Sequence, residues 1–188
     1  MINFKKYKKN LIRILDQRDL EKETKVLFHE IKKTWKMKKN FFICGNGGSG
    51  ANAIHIANDF LYGAGISNKK GLKVEALTSN SAVLTCLAND IGYDSVFSEQ
   101  IKVKGEKNDF LLVLSGSGNS KNIIKVLKEA KKIKLRTFAI LGFNGGKCLK
   151  LADNFIHIKI NDMQICEDFQ MILLNMIMKE LSITKLPK

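Results

Sequence analysis

The sequence has no long apolar run, which argues against a membrane protein. No segment approaches the roughly 20 apolar residues that a membrane-spanning helix needs. The N-terminal segment MINFKKYKKN also lacks the continuous apolar core of a signal peptide. We therefore expect a cytoplasmic protein that does not interact with membranes.

Cysteine pairs with metal-binding or redox spacing are also missing. The four cysteines, Cys44, Cys86, Cys148 and Cys166, include no C-x-x-C pair. We therefore expect neither a disulfide framework nor a structural zinc site built on cysteines. Reduced and mostly buried thiols are the simpler interpretation.

Acidic residues are few compared with basic ones. The chain has 32 Lys and Arg against 18 Asp and Glu, a formal net charge of +14. Such an excess raises the hypothesis of nucleic-acid binding. However, the lysines are scattered through segments such as KKTWKMKK and KVLKEAKKIK, and no RNA motif with interleaved aromatic residues is present. A solvated lysine-rich surface, which also attracts anionic substrates, is the favoured interpretation.

Composition and helical periodicity predict one domain that begins with two helices. With 188 residues, 45% hydrophobic and 27% charged, the chain suits a single globular domain over residues 1–188. Within residues 1–38, apolar residues recur at three- and four-residue spacing, with a break between Asp16 and Asp19. The apolar stripe of these helices must cover the rest of the domain or pack against another subunit.

The segment FFICGNGGSGANAIHIANDF, from Phe41 to Phe60, predicts a strand, a tight turn and a helix. Glycines let the backbone approach a ligand closely, and the free N–H groups of the helix favour an anion, most often a phosphate. His55 and Asp59 lie four residues apart on this helix, so their side chains can meet.

The same pattern returns in LLVL-SGSGNS, which is again followed by an amphipathic helix. Strands and helices alternate along the rest of the chain, which predicts a three-layer α/β/α sandwich of flavodoxin-like type with a five-stranded parallel sheet. Ligands bind such sheets at the carboxyl ends of the strands, where the two turns can face one pocket. The expected strands are 41–44, 72–77, 109–114, 135–141 and 154–160.

The string Gly45-x-Gly47-x-x-Gly50 also matches a dinucleotide-binding fingerprint. That motif needs an acidic residue at the end of the next strand, and Glu75 is the only candidate, inside the strand. The SGSGNS turn supplies hydroxyls and backbone donors that suit a phosphate monoester. Phosphosugar binding is therefore the preferred prediction.

Together these segments resemble a known family, the SIS (sugar isomerase) domain of phosphoheptose isomerases. Those enzymes interconvert sedoheptulose 7-phosphate and a heptose 7-phosphate, a precursor of heptose-containing polysaccharides. The similarity covers nearly the whole chain and is carried, in order and spacing, by CGNGGSGANAIHIANDF, ANDIGY, LLVLSGSGNSKNIIKVLKEAK, LRTFAILGFNGGK and LADNFIHI. It implies an aldose–ketose isomerase acting on a phosphosugar.

The resemblance also implies a set of site residues. His55 matches a metal-ligating histidine, Asp59 a carboxylate that binds metal and moves a proton, and Glu167 the first ligand on the last helix. Family members are typically homotetramers with pockets between subunits and often hold zinc. Contacts to the sugar and its phosphate are implied for Asn46, Gly47, Ser49, Asn89, Asp90, Ser115, Gly116, Ser117, Asn119, Ser120 and Asn175.

The last helix departs from the family pattern. Asn175 stands eight residues after Glu167, where the family has a histidine, and Gln170 replaces another histidine. Isomerisation through an enediol needs groups that accept and donate protons near neutral pH. An amide does not titrate, so the proton transfers fall to His55, Asp59 and Glu167.

Three alternatives stay open at this stage. The first is a catalytically silent SIS protein that binds a phosphosugar or acts as an oligomeric adaptor, because Asn175 removes a titratable group. The second is a regulator associated with nucleic acid. The third is that Asp59 and Glu167 are surface charges paired with lysines, just as His157, within the apolar strand IHIKI, is interpreted as structural.

Overall fold

A five-stranded parallel sheet forms the centre of the computed structural model, which describes residues 2–185. The first residue and the last three of the predicted domain therefore lie outside the described part. The strand order is β2-β1-β3-β4-β5, as in flavodoxin-like folds, and the predicted fold class is confirmed. The strands are β1 Asn40–Gly45, β2 Lys73–Ala76, β3 Phe110–Ser115, β4 Arg136–Leu141 and β5 Asn154–His157.

Helices cover both faces of this sheet. One face packs against α1, α2, α3 and α8, and the other packs against α4 to α7. The helices are α1 Phe4–Leu15, α2 Leu20–Lys36, α3 Gly47–Leu61, α4 Ser81–Ile91, α5 Ser98–Lys104, α6 Lys121–Lys132, α7 Cys148–Leu151 and α8 Met163–Ile183, with 3₁₀ turns at Gly63–Asn68 and Tyr93–Ser95.

The two apolar cores explain why the central strands are continuous apolar runs. Successive side chains of a strand point to opposite faces. In β1, Phe41 and Ile43 enter the core beneath α2, α3 and α8, whereas Phe42 and Cys44 enter the core beneath α5 and α6. A strand that is buried on both faces therefore has no polar alternation.

The two N-terminal helices cover the sheet to very different extents. In α2, Leu27 and Ile31 are fully buried in the core. The indole N–H of Trp35 donates to the Gly71 carbonyl at 3.2 Å, which ties the end of α2 to the approach to β2. In α1, Ile14 is the buried residue, so most of α1 faces away from the domain.

Some boundaries differ from the sequence-based prediction. β5 ends at His157 rather than at residue 160, because β4 ends at Leu141 and the Ile160 N–H turns back to the Ile158 carbonyl. α5 begins at Ser98, after the 3₁₀ turn at Tyr93–Ser95. Most of the glycine motif belongs to the first turn of α3, which begins at Gly47.

Most of the thiols are buried, as predicted, and His157 contacts a backbone carbonyl. All four cysteines are free, and Cys44, Cys148 and Cys166 are buried. Burial raises the pKa of the Cys148 thiol to about 11. His157 places Nε2 3.0 Å from the Phe143 carbonyl. Among residues 2–185, no helix has the length and apolar character needed to cross a bilayer.

Candidate active site

The two glycine-rich turns meet at the point where the chain order of the sheet reverses. β1 and β3 are neighbours in register, with Gly45 opposite Leu114. The chain continues from β1 to β2 on one side and then to β3 on the other. A crevice outside the carboxyl ends of such strands is where α/β sheets bind ligands. The turns after β1 and β3 therefore define the candidate site.

The first turn of α3 already holds a carboxylate from α8. The Ser49 N–H donates to Glu167 Oε1 at 3.0 Å, and the Ser49 hydroxyl lies 3.4 Å from the same oxygen. A Cβ at Gly48 would overlap the Glu167 carboxylate, so a larger residue there would displace this carboxylate. At this turn the helix N–H groups meet a carboxylate of the chain itself.

An amide network completes this junction between α3 and α8. Gln170, 1% exposed, donates from Nε2 to the Ser49 hydroxyl oxygen at 3.0 Å. Asn52 donates to Gln170 Oε1 and to the Glu167 carbonyl, each at 3.0 Å. Sequence reasoning did not assign Asn52 a role; its only signal is its position one helical turn after Gly48.

His55 and Asp59 form a second cluster on α3. His55 Nε2 lies 3.3 Å from Asp59 Oδ2, as their four-residue spacing predicts. The His55 side chain is 58% exposed, whereas that of Asp59 is 23% exposed. Asn58 donates to the other Asp59 oxygen at 3.3 Å. The imidazole is therefore oriented by a carboxylate but remains open to solvent.

The predicted zinc ligands are not gathered in one place. The Glu167 carboxylate lies on Ser49, while His55 and Asp59 contact each other. Among the residues that the structure describes, no three His, Cys, Asp or Glu side chains form a group that holds a metal. Structural and catalytic zinc sites use at least three protein ligands. As placed, the side chains of one chain do not fit zinc.

The second turn, SGSGNS at residues 115–120, is organised by its own serines. The Ser115 hydroxyl accepts from the Gly118 N–H at 3.1 Å, and the Ser117 hydroxyl accepts from the Asn119 N–H at 3.2 Å. Ser120 stands at the start of α6, and its side chain does not cap the helix. Ser115 and Ser117 thus shape the turn, while the Ser120 hydroxyl is available to a ligand.

A third glycine-rich turn, residues 142–147, supports this second one. The Gly142 N–H donates to the Gly116 carbonyl at 2.9 Å. Gly118 has a φ of +62°, and a Cβ there would overlap the Gly145 carbonyl. The Lys147 N–H donates to Asn119 Oδ1 at 3.1 Å. The sequence shows this glycine cluster, but not its packing against the SGSGNS turn.

Asn46 connects the turn after β1 to α6. Its side-chain amide pairs reciprocally with that of Asn122, with donor–acceptor distances of 2.9 and 2.8 Å. The Tyr93 hydroxyl also donates to Asn46 Oδ1 at 3.0 Å. Gly47 follows with a φ of +54°. Asn122 and Tyr93 are site neighbours that sequence reasoning missed.

The remaining predicted residues lie at the rim. Asn89 and Asp90 are exposed at the end of α4, and the Asn89 amide donates to Asp90 Oδ1 at 2.8 Å. A hydrogen bond to Asp90 raises the pKa of the Cys86 thiol. Asn175 is half-buried on α8, more than two turns beyond Glu167. These residues do not touch the Glu167 junction.

The residue after Glu167 joins the site to the N-terminal helix. The Tyr7 hydroxyl donates to the Asp168 carboxylate. This hydrogen bond and partial burial raise the pKa of Tyr7 to about 12. α1 is therefore fixed to the helix that carries Glu167. No lysine pairs with Asp59 or Glu167 among the ion pairs of the described residues.

Comparison with known proteins extends these observations. The SIS domain family matches residues 6–142. The phosphoheptose isomerase of Helicobacter pylori strain ATCC 700392 / 26695 is 34% identical over 158 residues, which cover 84% of this chain and 82% of that protein. The phosphoheptose isomerase of Aliarcobacter butzleri is 38% identical over 146 residues, 78% of this chain and 75% of that protein.

Solved structures have the same fold. The phosphoheptose isomerase GmhA from Neisseria gonorrhoeae superimposes with a TM-score of 0.86 at 25% identity, over 95% of this chain and 96% of that one. A phosphoheptose isomerase from Francisella tularensis gives a TM-score of 0.89 over 96% of this chain and 95% of that one. Because the Francisella tularensis protein is 21% identical to this chain, this similarity supports the fold alone.

Proposed function

The chain belongs to the SIS domain family, and we propose that it is a phosphosugar isomerase that interconverts sedoheptulose 7-phosphate and a heptose 7-phosphate. The observation that carries this proposal is the junction of Ser49 with Glu167 beside the SGSGNS turn. It places a carboxylate at the sheet edge from which the SGSGNS turn also projects. Relatives named phosphoheptose isomerase, aligned over most of their length, support the choice of substrate.

The SGSGNS turn is the proposed phosphate seat. It opens α6, a helix of 12 residues, whose N-terminal N–H groups favour an anion. The buried Ser115 hydroxyl is committed to the turn itself. Ser120 therefore supplies the hydroxyl that contacts phosphate, together with backbone N–H groups of the turn. Gly116 and Gly118 let the turn pack closely against Met163 and the Gly145 carbonyl.

Glu167 is the proposed base for proton transfer between carbons. In the ketose-to-aldose direction, its carboxylate removes a proton from C1, the C1–C2 enediol forms, and the protonated carboxyl group, which exchanges with solvent, delivers a proton to C2. The hydrogen bond from the Ser49 N–H fixes one oxygen of the carboxylate, which leaves the other oxygen to act. General base catalysis of this kind typically contributes a factor of about 10² to 10⁴ in rate.

A second proton transfer takes place between the sugar oxygens O1 and O2. As the enediol forms and collapses, O2 gains a proton and O1 loses one. Histidine is a common general acid and base, and Asp59 orients the ring of His55. We assign this transfer to the His55–Asp59 pair. Asn175 contributes a polar amide that polarises the carbonyl but carries no proton.

Zinc is assigned no step in this scheme. Zinc coordination, which the family resemblance implies, requires the Glu167 carboxylate to leave Ser49 and to join His55 and Asp59. Such a centre would polarise the carbonyl as a Lewis acid. As these side chains are placed, they do not form that ligand set.

A homo-oligomer, and specifically a tetramer, is part of the proposal. Large apolar side chains are exposed on α1, where Phe4 is 74% exposed. Others flank the site: Ile54 precedes His55, and Met176 follows Asn175, both with exposed side chains. A second copy that covers these side chains would also close the site around His55. The exposed apolar side chains of α1, α3 and α8 support assembly.

The cytoplasm is the proposed location. Phosphorylated sugars are charged and do not cross a lipid bilayer unaided, because burying an ionised group in hydrocarbon is costly. An enzyme that acts on them therefore works in the compartment where they are made.

A catalytically silent SIS protein is the second candidate. The observation in its favour is that two amides, Asn175 and Gln170, stand where the family has histidines. Gln170 also uses both polar atoms of its amide in hydrogen bonds between α3 and α8. In this case the site would still bind a phosphosugar, and the chain would act through its partners.

Turnover of sedoheptulose 7-phosphate by the purified protein separates these two candidates. We expect wild-type protein to form the aldose, detected by its anomeric proton in NMR, and His55→Ala to lose this activity. Turnover that is absent in wild-type protein but appears in Asn175→His would overturn the proposal in favour of the silent protein.

A further inference from the structure

A pocket of about 490 Å³ opens between α1 and the segment that joins β5 to α8. Its volume is within the range of roughly 300–1,000 Å³ that is usual for small-molecule sites. The lining consists of Lys6, Asn10 and Arg13 from α1, Phe143 from the turn after β4, and Lys159, Ile160, Asn161 and Asp162. None of these residues was assigned to the candidate active site.

The charge of this pocket is strongly positive. Lys6, Arg13 and Lys159 contribute three cations, and none takes part in an ion pair within residues 2–185. Asp162 is the one carboxylate in the lining, and its Oδ1 accepts from the Ile165 N–H at 3.2 Å. Three cations against one carboxylate leave an excess of two positive charges, which matches a dianion.

The positions of the polar lining residues also favour a phosphate monoester. Lys6, Asn10 and Arg13 follow one another at four- and three-residue spacing, so they share one face of α1. The guanidinium of Arg13 suits two oxygens of one phosphate group. Asn161 faces this stripe from the opposite wall. Carboxamides on both walls suit the hydroxyl groups of an organic body attached to the phosphate.

An apolar wall separates this pocket from the SGSGNS turn. The wall contains Phe143 and Ile160, which are joined by a hydrogen bond from the Phe143 N–H to the Ile160 carbonyl at 3.0 Å. On the far side, Met163 and Phe143 lie next to the space in which a Cβ of Gly116 would sit. The pocket is therefore a second site that adjoins the back of the turn.

We propose that this pocket binds a small phosphorylated metabolite, a dianionic phosphate monoester with a hydroxyl-bearing body, separately from the substrate. Arg13, Lys6 and Lys159 hold the phosphate, and Asn10 and Asn161 bind hydroxyl groups of the body. Phe143 provides a surface against which the body packs.

Equilibrium dialysis with AMP as the probe tests this proposal. AMP carries a phosphate monoester, ribose hydroxyls and a flat base. We expect saturable binding of one AMP per chain. Because each variant removes a charge-assisted contact, Arg13→Gln and Lys159→Gln should each weaken binding by about tenfold. They lie on different elements, so a folding defect of one does not account for both.

Two further variants test whether AMP binds in this pocket rather than elsewhere on the chain. Lys8→Gln removes the same charge from the other side of α1, and Ser120→Ala changes the proposed substrate phosphate seat. We expect both to leave AMP binding within twofold of wild type. The proposal is overturned if AMP does not saturate, if Lys8→Gln weakens binding as much as Arg13→Gln, or if Ser120→Ala abolishes it.

Discussion

Ser49 donates its backbone N–H to the Glu167 carboxylate at 3.0 Å, although the two residues are 118 positions apart. This contact brings the first turn of α3, at the reversal point of the sheet, against α8. It also places a carboxylate where the exposed N–H groups of a helix favour an anion. The site is thus assembled from α3 and α8, which are far apart in the sequence, rather than from one motif.

The buried amide of Gln170 is expected to stabilise this junction. Gln170→Leu removes the hydrogen bond to the Ser49 hydroxyl and also removes the acceptor of one Asn52 hydrogen bond. An unsatisfied buried polar group costs about 1–3 kcal/mol, so the free energy of unfolding should fall by that amount. Urea denaturation measures this change.

Gln164→Leu is the matched control, because Gln164 is exposed on the same helix. Its free energy of unfolding should stay within about 0.5 kcal/mol of wild type. Equal destabilisation by both substitutions would show that the amide network contributes nothing of its own.

Gly118 is expected to be needed both for its conformation and for packing. Gly118→Ala strains a residue with φ of +62° and also forces the new Cβ into the Gly145 carbonyl. Gly92→Ala is the control, since Gly92 has φ of +91° but nothing within 4 Å of its Cβ position.

The free energy of unfolding should therefore fall in both glycine variants by roughly 1–3 kcal/mol, the cost of backbone strain. Gly118→Ala should in addition raise the KM for the phosphosugar by about tenfold or more, because a misplacement of about 1 Å in a positioning element commonly has such effects. A normal KM in Gly118→Ala would argue against the turn as phosphate seat.

The exposed apolar residues on α1 are expected to form subunit contacts. Phe4→Glu should shift the protein to a smaller assembly in light scattering, because a charge buried in an apolar interface is costly. Val103→Glu, on α5 at the other face of the sheet, should leave the mass unchanged. A wild-type protein that is already monomeric would contradict the proposed oligomer.

Zinc is expected to bind only weakly at the candidate site. The Glu167 carboxylate is held by Ser49, apart from the His55–Asp59 pair, and two ligands do not complete a zinc site. Competition with a zinc-binding dye should therefore show no tight site in wild type, and His55→Ala and Glu167→Gln should behave like it. Tight binding by wild type that both variants lose would mean that Glu167 moves onto the metal.

The sequence was sufficient to predict the architecture. Runs such as FFIC and LLVL have no polar alternation, because their strands are buried on both faces. The break predicted between Asp16 and Asp19 separates α1, which ends at Leu15, from α2, which begins at Leu20. Glycine-rich turns after two strands identified the reversal point of the sheet. Each of these signals lies within a short segment, so it is visible in the sequence without knowledge of tertiary contacts.

The partners within the site were not predictable in the same way. Glu167 contacts Ser49, and Asn46 contacts Asn122 and Tyr93, only because helices pack over a common sheet edge. Helical spacing predicts contacts three or four residues apart, such as that of His55 with Asp59. It does not predict contacts between α3 and α8. For this reason Glu167 was expected beside His55 but lies on the first turn of α3.

Exchange of the C1 proton of sedoheptulose 7-phosphate with solvent deuterium tests the central claim most directly. The loss of this proton signal in D₂O reports proton removal by the enzyme, even when little product accumulates. We expect rapid exchange with wild type and a rate lower by about 10² or more in Glu167→Gln, the typical contribution of a general base. Glu180→Gln, a control on the exposed end of α8, should exchange like wild type. Undiminished exchange in Glu167→Gln would contradict the account.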